Sequence, residues 1–246
     1  MKAMIFAAGL GTRLRPLTND RPKALVEVGG RTLLEWAIRR LAAAGVDEII
    51  VNVHYFAEKI VTFLEGKKYF GLRIAISDET GELLETGGGL LKARGFFEKE
   101  ARDFFVFNAD ILTDFDLRRL YDAHLHSNAL ATLLTARRAS SRQLLFDEQG
   151  LLHGWVNSSE GIARVRRPSV HDLHFRAFSG VQVLSPRIFG AMRQQGKFSI
   201  IDTYLDCAAA HDIRSFDLGG AAWLDVGKPE SIPLAEAILA KKGSAW

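Results

Sequence analysis

Four residues carry the clearest chemical potential: Arg13 and Lys23 near the start of the chain, and Asp110 and Asp225 far along it. Arg13 closes a glycine-bearing turn, Gly9-Leu10-Gly11-Thr12-Arg13, that follows the apolar run Met4 to Ala8. A turn without bulky side chains lets backbone N–H groups approach an anion, and the flat fork of an arginine clamps phosphate oxygens. Lys23 adds a point charge, and Pro22 fixes the backbone just before it. Phosphate capture is the chemistry this stretch suits. Asp110 follows the run Phe105-Val106-Phe107-Asn108-Ala109, where it can sit at the ligand edge of a sheet or simply cap the next turn. Asp225 lies in Trp223-Leu224-Asp225-Val226-Gly227-Lys228-Pro229-Glu230. A bare Asp-x-Gly is commonly a turn, but the tryptophan before it and the proline after it favour a built site.

Two common phosphate motifs are absent. A P-loop needs Gly-Lys-Ser/Thr after its first glycine, and a dinucleotide fingerprint needs a third glycine where Leu14 stands. The longer string from Gly9 to Leu25, G-x-G-T-R-L-R-P-L-T-x-x-x-P-K-x-L, is far more specific. It resembles the signature of the sugar-1-phosphate nucleotidyltransferases, also called nucleotide-sugar pyrophosphorylases. That resemblance implies transfer of a nucleotidyl group from an NTP to a sugar 1-phosphate, with release of pyrophosphate. It implies Mg²⁺ held by Asp110 and Asp225, and catalysis by Arg13, Lys23, Asp110 and Asp225. It assigns nucleotide contacts to Ala8, Gly9, Gly11, Thr12, Arg13 and Lys23, and gives the Asn108 amide the ribose or a metal-bound water. Asp225 and the segment Phe178-Ser179-Gly180-Val181 fall on the sugar side, with Ser179 and Gly180 lining the pocket.

The stretch Leu84-Glu85-Thr86-Gly87-Gly88-Gly89 offers backbone that can lie flat against a base, or else a flexible loop leading into a helix. In the family this position contacts the nucleobase, here through Glu85, Gly87 and Gly88. Its form looks most like short uridylyltransferases acting on N-acetylmuramic acid 1-phosphate in cell-wall recycling, which favours UTP. Guanylyltransferases for mannose or heptose 1-phosphate, cytidylyltransferases for phosphorylated alcohols and non-catalytic nucleotide-sugar-binding subunits are the alternatives. Retention of Arg13, Lys23 and both aspartates favours an enzyme. The chain departs from the family pattern in three places. Ala109 replaces a glycine, Lys228 stands where threonine is usual, and no Glu-Lys-Pro segment grips the sugar phosphate. Arg164, Arg166 and Arg167 lie in that region and could replace it, or form a solvated basic loop.

Positioning these residues requires strands that end at one edge. Apolar runs at 4–8, 48–53, 72–76, 104–107 and 129–135 read as buried strands. Helical patterns fall between them: one from Thr32 that stops at Gly45, then 57–64, 88–96 and 117–126. The alternation predicts an α/β, Rossmann-like, mostly parallel sheet with helices on both faces, the nucleotide-diphospho-sugar transferase fold of the family. Ligands then gather beyond the carboxyl ends of the strands, where the glycine turn and Asp110 both fall. From Arg137 to Val183 the pattern loosens into short strands, read as a small antiparallel excursion. Helices at 200–210 and 229–239 and strands at 213–216 and 222–224 complete a single catalytic domain over residues 1–246. The chain ends soon after Asp225, leaving no room for the added β-helix or second enzyme of longer relatives.

Composition narrows the setting. Hydrophobic residues make up 48% and charged residues 25%, which suits a globular α/β chain able to bury a core. The net charge of +3 is too small and dispersed for nucleic acid but agrees with anionic small substrates. No apolar stretch approaches the roughly 20 residues that span a bilayer. Lys2 and the short run after it read as a buried first strand rather than a signal peptide, so a cytoplasmic protein is expected. The lone Cys207 makes no internal disulfide and is read as an inert buried thiol. The histidines lack zinc-ligand spacing; His124 and His126 read as surface helix residues, and Trp36 and Trp155 as packing. Oligomeric state is not legible.

Overall fold

The first strand, β1 (Lys2–Phe6), lies inside a ten-stranded sheet and sends alternate side chains to opposite faces. A computed structural model describes residues 1–100, 102–169 and 172–242. After β1 come a small hairpin, β2 (Glu27–Val28) and β3 (Arg31–Thr32), then α1 (Leu33–Ala43), β4 (Glu48–Val53), α2 (Ala57–Gly66) and β5 (Arg73–Asp78). Next are α3 (Glu85–Lys92), α4 (Arg94–Phe97), β6 (Phe104–Asn108), β7 (Ile111–Thr113), α5 (Leu117–Ser127) and β8 (Ala131–Ala136). An antiparallel run follows: β9 (Arg142–Phe146), β10 (Leu152–Asn157), β11 (Ile162–Val165) and the long β12 (His174–Leu184). The last elements are α6 (Ile188–Ala191), α7 (Ile200–Cys207), β13 (Ile213–Asp217), β14 (Trp223–Asp225) and α8 (Ser231–Lys242).

Strands β5, β4, β1 and β6 are parallel neighbours in that order. The chain leaves β1 to one side for β4 and β5, then crosses to the other side for β6. That reversal opens a crevice beyond the carboxyl ends of β1 and β6, the ligand position of open α/β sheets. β12 runs antiparallel to β6 and β8, and β13 returns parallel to β8. The antiparallel excursion extends this sheet, because the first residues of β12 pair with β9.

The two faces carry separate cores. Ala3, Ile5, Phe105 and Phe107 pack with α1, α2 and α5, whereas Met4, Phe104 and Val106 pack with α3, α4, α6 and α7. α1 begins where Thr32 accepts the backbone N–H of Glu35 at 3.1 Å, an N-terminal cap. Its end is set by Gly45, at φ 92°. A third, smaller core joins Leu14, Val28, Trp36, Leu112 and Val226 under the glycine turn. Leu14 is fully buried there, so the residue standing in place of a third glycine anchors the turn.

Three expectations need correction. The helix expected at 88–96 starts at Glu85 and breaks at Ala93 into α3 and α4, so the glycine triplet is helical rather than a loop. The closing helix begins at Ser231, after Pro229. His124 is buried; its Nδ1 is 2.8 Å from Thr132 Oγ1, and only His126 is exposed. β7 and the β2–β3 hairpin were not foreseen. Trp36 and Trp155 do pack in cores, and Cys207 is buried. Among the described residues no helix is long and apolar enough to cross a membrane.

Candidate active site

The turn after β1 is held from both sides. Ala7 donates its N–H to Asn52 Oδ1 at 2.7 Å, and Ala109 donates to the carbonyl of Phe6 at 3.1 Å. Gly11 takes a left-handed conformation, φ 64°. A Cβ there would lie 3.0 Å from Lys23 Cβ and 3.1 Å from Thr18 Cγ2, so glycine lets the Lys23 segment close on the turn. Thr18 Oγ1 donates to the Gly11 carbonyl at 2.8 Å. Pro22, at φ −68° and ψ 151°, leads into a short 3₁₀ turn that carries Lys23.

Asp110 stands between β6 and β7. β14 pairs antiparallel with β7, setting Asp225 opposite Ile111, and Val226 N–H donates to the Asp110 carbonyl at 2.9 Å. This register brings two carboxylates from distant parts of the chain together. Lys23 Nζ donates to Asp110 Oδ2 and lies 3.7 Å from Asp225 Oδ1. Asp225 Oδ1 is shielded from solvent and accepts no hydrogen bond. Burial and the neighbouring charge of Asp110 raise the Asp225 carboxyl above its ordinary range, while Lys23, Arg13 and Arg138 oppose the shift. Arg13 reaches the same place: a Cβ on Gly227 would lie 2.9 Å from Asp225 Oδ1 and 3.2 Å from Arg13 Nη2. Ala109 is buried and has no positive φ, so alanine replaces glycine there without strain.

These donors fit a hard divalent cation. Two carboxylates converge, one carrying a buried oxygen without a partner. Among the described residues no third His, Cys, Asp or Glu joins them. Mg²⁺ commonly takes one or two carboxylates and fills its remaining positions with water and substrate phosphates.

A cavity of about 190 Å³ adjoins this cluster and is lined by Gly9, Lys23, Thr86, Asn108 and Asp110. A second, of about 240 Å³, lies between Ala8, Gly9, Asn52, Leu83, Glu85 and Thr86. The glycines expected to read a base face elsewhere. Gly87 and Gly88 both direct their N–H groups to the carbonyl of Phe198, at 2.9 and 3.3 Å. A Cβ on either would overlap the 196–198 segment, so their smallness serves close packing. Leu83, Glu85 and Thr86 form the cavity wall instead. Behind it Glu79 is fully buried; its carboxylate accepts from Asn52 Nδ2 at 2.7 Å and from Leu84 N–H at 3.2 Å. Asn52 thus ties the β1 turn to the α3 wall.

Ser179 and Gly180, expected to line a sugar pocket, sit in a bulge of β12 and are both buried. The Ser179 carbonyl accepts from Trp223 Nε1 at 2.8 Å, and Gly180, at φ 74°, leaves room for Asn108. Thr12 and Arg13 are exposed at the mouth. Of the three arginines considered as substitutes for Glu-Lys-Pro, Arg166 is exposed and the other two are held elsewhere. Arg164 pairs with Asp202 at 2.6 Å, and Arg167 Nε donates to the Ala208 carbonyl at 2.8 Å. Arg138, which sequence reasoning overlooked, lies over the Trp223 ring at 4.2 Å and donates to the Phe178 carbonyl at 3.1 Å. Its place just after β8, at the ligand edge, was the available signal.

Residues 2–146 match the family described as Nucleotidyl transferase. The chain is 35% identical to an N-acetylmuramate alpha-1-phosphate uridylyltransferase of Caulobacter vibrioides, covering 97% of each chain. It is 33% identical to a mannose-1-phosphate guanyltransferase of Yarrowia lipolytica, over 94% of this chain but only 61% of that protein. Among solved structures, a UDP-glucose pyrophosphorylase from Acinetobacter shares the fold with a TM-score of 0.80 at 20% identity, covering 99% of this chain and 94% of that one. With a family match over more than half its length and such relatives, the chain belongs to the nucleotidyl transferase family.

Proposed function

We propose that the chain is a Mg²⁺-dependent sugar-1-phosphate nucleotidyltransferase, acting on UTP and N-acetylmuramic acid 1-phosphate or a related amino-sugar phosphate. The observation that carries this reading is the β7–β14 register, which sets Asp225 beside Asp110 with Lys23 against both. A non-catalytic binding subunit has no need of that convergence. In this reading residues 1–246 form one cytoplasmic catalytic domain in cell-wall sugar recycling.

The reaction needs two anions brought together and no covalent protein nucleophile. A sugar phosphate oxygen attacks the α-phosphorus in line, and the bond to pyrophosphate breaks. Arg13 and Lys23 meet the charge that builds on the transferring phosphate and the leaving group. Asp110 and Asp225 would hold Mg²⁺, which supplies Lewis-acid stabilisation of that same charge when bound. Asn108 lines the cavity beside Asp110, in reach of the ribose end of the nucleotide. The cavity between Ala8 and Glu85 takes the base.

Identity to the fungal relative makes guanylyl transfer to mannose 1-phosphate the second reading. Pyrophosphate release measured over four NTPs and a panel of sugar 1-phosphates separates the two. UTP with N-acetylmuramic acid 1-phosphate is expected to give the highest kcat/KM. A preference for GTP with mannose 1-phosphate would select the second reading, and no release from any pair would reject both.

A further inference from the structure

A broad hollow of about 430 Å³ lies at the ends of β8 and β12, lined by Arg137, Arg138, His174, Phe175 and Arg176. No carboxylate is among its lining residues. Most arginines of this chain that are tied down have acidic or carbonyl partners, as Arg39 has Glu35 and Arg164 has Asp202. Among the described residues, Arg137 and Arg176 have neither an ion pair nor a hydrogen bond. Arg138 keeps a buried Nε without a partner. Arg137 and Arg176 stand beside Arg138 with no carboxylate paired to either, so they repel it and one another, and a bound anion relieves that repulsion.

Arg138 joins this hollow to the reacting centre. Its guanidinium covers Trp223, two residues before Asp225, and the Asp225 charge raises the guanidinium against the lowering effect of burial. The hollow therefore begins at the sugar-side wall. Arg13 and Lys23 lie at the glycine turn after β1, which leaves the hollow's arginines for a different anion. Phe175, 54% exposed, gives the hollow an apolar side.

We propose that this hollow receives a second anionic group, a carboxylate carried on the ring of the sugar 1-phosphate, and so selects acidic over neutral sugars. The proposal rests on the reaction class argued above. A carboxylate presents two oxygens in a plane, which matches a guanidinium fork. An apolar face next to the forks suits the short alkyl link that would carry such a group.

The test compares N-acetylmuramic acid 1-phosphate with N-acetylglucosamine 1-phosphate, which lacks the lactyl carboxylate, under saturating nucleotide and Mg²⁺. The wild-type ratio of kcat/KM is expected to favour the acidic sugar by about 10–100-fold. R176Q and R137Q should each lower that ratio by about tenfold, mainly through KM for the acidic sugar. R176K should recover part of it, and added salt should compress the wild-type ratio. Unchanged melting temperatures would show that the variants fold. A wild-type ratio near one, or variants that depress both sugars equally, would overturn the carboxylate pocket and leave the nucleotidyl transfer standing. No turnover of either sugar with any NTP would overturn both.

Discussion

Lys23 holds one ammonium against two carboxylates, so its removal changes the site in two ways. In K23A the loss of kcat should be about 10²–10³-fold, with UTP affinity falling by less than about tenfold, because the charge it meets grows in the transition state. Steady-state kinetics beside equilibrium titration of UTP check this; unchanged kcat would remove Lys23 from catalysis. Asp225 carries the opposite lesson. Its carboxyl is raised above the ordinary value of 3.8 by burial and by Asp110. A raised carboxyl costs stability when ionised; the cost is absent below that ordinary value and complete once pH has passed the folded value. D225N should therefore melt higher than the parent at pH 7, lose most turnover, and lose its melting advantage as pH falls towards 4. A variant that melts lower at pH 7 would contradict the sign. Arg13, Lys23, Asp110 and Asp225 were legible as residues because each sits in a string with its own chemistry. Arg138 was not: its value comes from Trp223, a neighbour supplied by a strand far along the chain.

At the scale of elements, glycine is the residue most easily misread. The triplet before Leu90 looks like loose backbone, yet it opens a helix that closes tightly on 196–198. G88A drives a methyl into the Gly196 carbonyl, and backbone cannot swing aside as a side chain can. A loss of about 2–4 kcal/mol is expected in urea unfolding, with weaker UTP binding as α3 shifts. Gly95, inside α4, has nothing within 4 Å of an added Cβ. G95A should be neutral or gain up to about 1 kcal/mol. Equal effects in the two variants would contradict the packing account. The buried strands and most helices were visible as runs and periods in the sequence, since burial on both faces leaves few polar positions. β7 was not, because three residues hold no period and its partner β14 lies near the other end of the chain. His124 was misplaced for a similar reason: Thr132, in β8, and Asp103, just before β6, lie beside it from outside its own helix.

For the whole molecule, Cys207 offers a test of cooperativity. Its thiol is buried and pushed up to about 11 by that burial. A thiol reagent at pH 8 should label the folded protein no faster than the chain unfolds, and stabilising ligands should slow labelling in proportion. Prompt labelling without unfolding would show the two faces of the sheet opening separately. The sheet order has a temporal consequence as well. Strand β14 supplies Asp225 and finds its place only against β7, made more than a hundred residues earlier. A growing chain that has emerged through β13 holds just one of the paired acids, and the core under its glycine turn still lacks Val226. Competence must then wait until β14 has been made and has paired with β7.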